Sequence, residues 1–230
     1  MRDQLLISKA ILKECKRKKK MGMAWIDYQK SFNRVPHSWI HKSLDLIGIN
    51  NKVLTLTKNN MSYWRTHMRL HTENKLIETD DIKIKCGIFQ GYSLSPLLFC
   101  TEQLNRLNTG YEEHKTKTKI SQLLYVDDLK LIAESGEELQ IQIQTVKNFS
   151  DDIRMEFRLE KCAKIAFKRG KLVHWQNLLN DINREIQELE KGKMYEYLGI
   201  EESEGIQHQQ LKERLKQEYS RRLRMILKSN

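Results

Sequence analysis

The sequence predicts an α+β fold of the split βαβ kind, an antiparallel sheet backed by helices, and three observations carry that expectation. Short apolar runs of strand length and amphipathic stretches of helix length follow one another in the order strand, helix, paired strands, helix, strand. The run Leu123 to Ala133 is apolar on both sides of Asp127-Asp128, which reads as two strands meeting in a tight turn. Only Pro36 and Pro96 occur as prolines, Pro36 before one helical stretch and Pro96 in the first turn of another.

Taken in order, Asp3 to Lys20 reads as an amphipathic helix with Asp3 as its cap and Leu6, Ala10 and Cys15 near one face. Met21 to Asp27 is a short apolar stretch entered through Gly22, which fits a buried strand with a carboxylate at its far end. Beyond Pro36 a helix is expected over roughly 38–47 and another over 50–63, and Thr66 to Glu73 with Leu76 to Cys86 alternate enough to form a hairpin. Ser95-Pro96 reads as a helix start, serine capping free N–H groups and proline fitting the first turn, with Leu97 to Leu107 as the apolar face. Residues 136–156 are expected as a long helix, Cys162 to Phe167 and Tyr195 to Ile200 as strands, and Gln209 to Lys228 as a basic helix.

A length of 230 residues supports a sizeable buried core without disulfides or structural metals. No apolar run approaches bilayer length and no signal peptide is seen, so a soluble protein away from membranes is expected. Four scattered cysteines without a Cys-x-x-Cys pair suit reduced thiols inside a cell, nuclear or cytoplasmic. The net charge of +11 sits at the ends. Residues 1–20 hold eight Lys/Arg against Asp3 and Glu14, residues 207–230 hold seven against Glu213 and Glu218, and the middle is neutral. Basic flanks around a neutral centre suit a protein that grips a polyanion at its edges, although Lys16 to Lys20 also fits a solvated helix end.

Asp27 ends one buried strand and Asp127-Asp128 stand 100 residues later at a hairpin tip, so neighbouring strands would gather three carboxylates. Like charges that close resist joint ionisation unless a cation stands between them, and hard oxygen donors select Mg²⁺ or Mn²⁺. Two such ions suit phosphoryl transfer. An Asp-Asp pair alone also occurs on solvated turns, but the apolar strands on either side weigh against that reading. His37/His41 and His67/His71 have i, i+4 spacing without the glutamate of a zinc hydrolase motif, and no Gly-rich phosphate loop is present.

The run Ala24-Trp-Ile-Asp27-Tyr-Gln-Lys-Ser-Phe32-Asn33-Arg-Val35-Pro36-His37 resembles the first catalytic block of non-LTR (LINE-like) retrotransposon reverse transcriptases. Gly87-Ile-Phe-Gln90-Gly91-Tyr-Ser-Leu-Ser95-Pro96-Leu-Leu-Phe99 resembles the second, and Tyr125-Val-Asp127-Asp128-Leu the catalytic hairpin. Leu159-Glu-Lys161-Cys resembles the lysine block, and Tyr195-Glu-Tyr197-Leu198-Gly199 the hairpin that holds the primer end. Five blocks in family order agree by accident far less readily than one. The chain departs from the usual pattern at Ser31, Asn33, Tyr92 and Val126, none of them a metal ligand.

The resemblance implies the palm of a right-hand polymerase over 21–200, with 1–20 as the end of the fingers and 201–230 as the start of the thumb. It implies an RNA-directed DNA polymerase acting on an RNA template, a DNA primer and deoxynucleoside triphosphates with two Mg²⁺ or Mn²⁺ ions, as a portion of a larger polyprotein. Asp27 and Asp127 would ligate both ions and Asp128 support them. Phe32 would lie under the incoming sugar, Gln90 and Gly91 would line the nucleotide pocket, and Lys161 would protonate or neutralise departing pyrophosphate. Tyr195, Tyr197, Leu198 and Gly199 would bind the primer. Ordinary packing remains an alternative for Phe32, Tyr195 and Tyr197, as does a surface role for Lys161. An inactive remnant that binds nucleic acid through basic ends is the competing function.

Overall fold

Strand β1 (Met21–Ile26) is buried along its whole length, as expected of an apolar strand with neighbours on both edges. It pairs antiparallel with β9 (Asp128–Ala133) on one edge and with β10 (Ala163–Lys168) on the other. Outside these lie β8 (Gln122–Tyr125) and the short β11 (Lys171–Leu172), giving the order β11-β10-β1-β9-β8. The computed structural model describes residues 2–15, 20–46, 48–72, 75–88, 109–112, 117–125, 128–169, 171–173, 186–190, 192–202 and 208–228, with backbone alone at 2, 15, 31, 32, 208–211 and 226–228. The helix expected from Ser95 to Leu107 lies outside the described residues.

The chain divides into two compact units, one of Met1–Asp27, Leu107–Gln144 and Leu159–Asn230, the other of Tyr28–Arg106 and Thr145–Arg158. In the first, Met21, Met23 and Trp25 alternate onto one sheet face with Ile132, Ala163, Ile165 and Phe167. Ile11 and Leu12 of α1 (Arg2–Cys15) join this core, so the buried stripe runs through Ser8, Ile11 and Leu12. The stripe expected through Leu6 and Ala10 faces water instead, and the Cys15 side chain is not described. Asp3 stands inside the first turn rather than capping it, where its charge still suits the helix N-terminus. Tyr195 to Ile200, expected as one strand, is a hairpin of β12 (Tyr195–Tyr197) and β13 (Ile200–Glu202). Leu198 and Gly199 form its turn at φ 51° and 75°, the positive values that a tight two-residue connection demands. A ladder the sequence did not announce joins β6 (Tyr111–Glu112) to β7 (Lys119–Ile120).

The second unit holds α2 (Ser31–Arg34), α3 (His37–Leu46), α4 (Asn51–Ser62) and two small ladders. Those ladders pair β2 (Arg65–Thr66) with β5 (Ile82–Lys83) and β3 (Arg69–Thr72) with β4 (Lys75–Glu78), which is the expected hairpin in nested form. Helix α5 (Gly136–Asp152) stops short of the expected 156. Arg154 adopts φ 58° and donates its N–H to the Asp151 carbonyl while Met155 donates to Ser150, the paired bonds of a Schellman stop. Gly48 ends α3 with the same two bonds, from Gly48 to Asp45 and from Ile49 to Leu44. Among the described residues no helix is long and apolar enough to cross a membrane.

A left-handed arginine is strained where glycine is not. Arg154→Gly should therefore raise stability by ~1 kcal/mol in denaturant melts. Gly87 is the converse case: its φ is 87° and an added Cβ would meet the Asn33 carbonyl oxygen at 2.9 Å, so Gly87→Ala should lose ~2 kcal/mol or more in the same melts.

Candidate active site

The register of β1 against β9 sets Gly22 opposite Ala133 and Ile26 opposite Leu129. One further step along it brings Asp27 across from Asp128, the first residue of β9. Asp128 also pairs with Tyr125 across the hairpin. Asp127, Gln90 and Gly91 lie outside the described residues, and Phe32 is described only by its backbone in α2. The two described carboxylates thus share one end of one sheet face.

On the other edge of β1, Trp25 pairs with Ala163, and the buried Cys162 flanks Asp27. The Asp27 amide donates to Cys162 Sγ at 3.4 Å and the thiol donates back to the Asp27 carbonyl at 3.6 Å. Burial pushes this thiol up to about 11, the charges of Asp27 and Glu160 add to that, and the hydrogen bond from the Asp27 backbone opposes it. A thiol so raised stays neutral at pH 7 and is a poor metal ligand. Lys161 lies in a 3₁₀ turn, Leu159–Lys161, that leads into β10, with its side chain exposed.

Tyr195 bridges these parts. Its ring stacks on Trp25 at a centroid distance of 4.7 Å, worth ~1 kcal/mol beyond the area it buries. Its hydroxyl donates to the Lys161 carbonyl at 2.8 Å. Burial first, then Cys162 and the charges of Asp27 and Asp128, push its phenol far above the ordinary range, so it remains a donor. Tyr197 is turned inward and 1% exposed, and its phenol is raised by burial and by Glu202 and Asp128. Both rings therefore pack, and the turn of the hairpin carries half-buried Leu198 and exposed Gly199. Arg214 of α6 (His208–Lys228) donates to the Gly199 carbonyl and lies 3.6 Å from Glu196.

In the second unit the start of the second block is held to the end of the first. Gly87 donates its N–H to the Val35 carbonyl at 2.7 Å, and its own carbonyl lies 3.0 Å from His37 Nε2. Burial lowers the His37 pKa, with the Gly87 bond opposing, so a neutral ring with Nε2–H as donor fits that contact. Trp64 meets the same ring edge-on at 5.2 Å.

The sequence reading missed Lys130, Glu202 and Ser8, all fully buried in the first unit. Lys130 Nζ donates to Glu202 at 2.5 Å and to Ser8 at 2.7 Å, and Ser8 donates to the other carboxylate oxygen at 2.8 Å. The signal was a lysine in an otherwise apolar strand, Leu129 to Ala133, which must find a carboxylate if buried.

Among the described residues no three His, Cys, Asp or Glu side chains gather as a metal site, and the third expected carboxylate, Asp127, is not among them. The donors that are described fit a hard divalent cation: two carboxylates side by side, with the adjacent soft ligand held as a neutral thiol.

The family profile described as "Reverse transcriptase (RNA-dependent DNA polymerase)" matches residues 2–201. The chain belongs to the reverse transcriptase family. It is 31% identical over 204 residues to a retrovirus-related Pol polyprotein from the type-1 retrotransposable element R2 of Nasonia vitripennis, covering 83% of this chain and 19% of that protein. An R2 polyprotein of Popillia japonica is 28% identical over 169 residues, 71% of this chain and 23% of the relative. The chain thus spans about a fifth of the length of these relatives, which are non-LTR elements. A structure of apo telomerase from Candida tropicalis, truncated from its C-terminal domain, superposes with a TM-score of 0.50 at 17% identity, over 71% of this chain and 34% of that one. That likeness places the α+β fold, with its antiparallel sheet, as the reverse transcriptase palm.

With its thiol raised to about 11, Cys162 is ~0.1% thiolate at pH 8, so native Cys162 should alkylate more than ~10-fold slower than exposed Cys86. Mass mapping of iodoacetamide adducts, native against unfolded, checks this; equal rates would contradict the buried placement.

Proposed function

We propose that the chain is the catalytic palm of an RNA-directed DNA polymerase, extending a DNA primer on an RNA template with deoxynucleoside triphosphates. The observation that carries this reading is the register that sets Asp27 across from Asp128 on a core whose five sequence blocks follow reverse transcriptase order. The chain's neutral centre and basic ends support a polyanionic partner.

Asp27 and Asp127, supported by Asp128, would hold two Mg²⁺ or Mn²⁺ ions. Such ions activate an attacking hydroxyl and steady departing phosphates. The protein's own groups do the rest. Phe32, five residues past Asp27, is assigned to the floor beneath the sugar, where a 2′-hydroxyl would clash. Gln90 and Gly91 are assigned to the nucleotide pocket, glycine letting backbone approach. Lys161, exposed on the β10 side of Asp27, can hand a proton to pyrophosphate or neutralise it. The primer end is assigned to the hairpin of Tyr195, Tyr197, Leu198 and Gly199, through the turn rather than the inward rings. Residues 1–20 and 201–230 are assigned to the end of the fingers and the start of the thumb.

Primer extension by the purified chain on an RNA template with Mg²⁺ or Mn²⁺ tests this. Extension should fall ~1,000-fold or more in Asp27→Asn and in Asp127→Asn, while salt-sensitive template binding stays close to that of the parent chain. Template binding without extension by the parent chain would favour a nucleic-acid-binding remnant, and equal loss of binding and extension in the variants would count against the metal assignment.

A further inference from the structure

The β12–β13 hairpin forms a two-stranded sheet of its own, and among the described residues no ladder joins it to the five-stranded sheet. The backbone just before it bridges to β10 at Lys164 through Gln187 and Leu189, and the hairpin itself is held to the strands of the carboxylates by two side-chain ties. One tie is the stack of Tyr195 on Trp25 with the hydroxyl bond to Lys161. The other is polar and wholly buried. Lys130 lies two residues beyond Asp128 on the same face of β9, and its ammonium reaches Glu202 at the base of β13 and Ser8 of α1. It also lies 5.0 Å from the Trp25 ring centroid and 5.3 Å from that of Tyr197. Glu202 pairs with Tyr195 across the hairpin, so this contact grips the base while the Leu198–Gly199 turn projects ~10 Å beyond it.

We propose that Lys130 and Glu202 are positioning residues for the primer terminus: their ion pair, completed by Ser8, fixes the β12–β13 hairpin against the strand that carries Asp128. What the hairpin touches rests on the polymerase reading; the lock itself rests on geometry. An apolar pair could fill the same space, but greasy side chains slide, whereas an ammonium held by a carboxylate, a hydroxyl and two rings has a single arrangement. A shift of the base is carried to the turn, and about 1 Å at a reacting terminus is enough to lower turnover ~100-fold.

The test places a 4-thiothymidine at the 3′ end of a DNA primer on an RNA template and maps its photo-crosslinks to the 230-residue chain. The variants are Lys130→Met, Lys130→Met/Glu202→Leu and Ser8→Ala. The single Lys130 variant should melt early, because it leaves a buried carboxylate alone, and the double variant should melt like the parent chain. With duplex affinity unchanged at equal salt, the double variant should lose ~10-fold of the crosslink to residues 195–199, and Ser8→Ala should lose part of it. A double variant that folds and crosslinks like the parent chain overturns the proposal, as does a parent chain with no crosslink to 195–199. If the double variant does not fold, Ser8→Ala decides: an unchanged crosslink overturns the lock and a reduced one supports it. Crosslinking needs no turnover, so a parent chain that crosslinks to 195–199 but does not extend rejects the polymerase reading, and the loss or retention of that crosslink in the variants still decides the positioning pair.

Discussion

The double-edged pairing of β1, to β9 through Gly22–Ile26 and to β10 through Met21–Trp25, is the constraint from which the described site follows. A central strand has no freedom to slide, because both ladders must move together and every side chain on it would exchange faces. That pins Trp25 beneath Tyr195 and leaves Asp27 at the strand's end, facing Asp128 across one edge and Cys162 across the other. The same alternation that sends Met21, Met23 and Trp25 into the core delivers the carboxylate to its neighbours.

Energetically the face is mixed. Apolar burial around Trp25 and the two methionines supplies stability, at ~1.5–3 kcal/mol for each large side chain removed from water. The Lys130–Glu202 pair does not add to that in any simple way. Desolvating each ion costs several kcal/mol, and the attraction, the Ser8 bonds and the two ring contacts offset it to near zero net. Removing one partner alone is another matter and costs ~3–5 kcal/mol, because a charge is then stranded in the core. The pair is thus better understood as a device for direction than for stability.

Much of this was legible in the sequence, and what escaped it has physical causes. The strand ending in Asp27, the paired strands around Asp127-Asp128 and the basic tail helix are strongly patterned and were expected within a residue or two. The end of α3 is marked by Gly48, whereas α5 stops on Arg154, a residue type that gives no warning of a left-handed turn. Tyr195 to Ile200 looked like one strand because Leu198 holds a positive φ that leucine disfavours, and packing against the core holds it there. The buried stripe of α1 was misjudged because its central residue is Ser8, chosen for a hydroxyl bond rather than for apolarity. Lys130 was passed over although it is a lysine among apolar neighbours, and its partner Glu202, 72 residues away, is a tertiary fact.

The register of β1 also bears on how such a gene can change. Substitutions along the strand act locally, but a codon gained or lost between Met21 and Trp25 turns Asp27 to the opposite face and sends the core residues before it into the wrong layer. Two extra codons restore the face yet displace the carboxylate by ~6.6 Å. The paired strands β3 and β4, with side chains exposed throughout, have no such arithmetic to satisfy. A change of length therefore disturbs the surface β3–β4 pair far less than the six residues of β1.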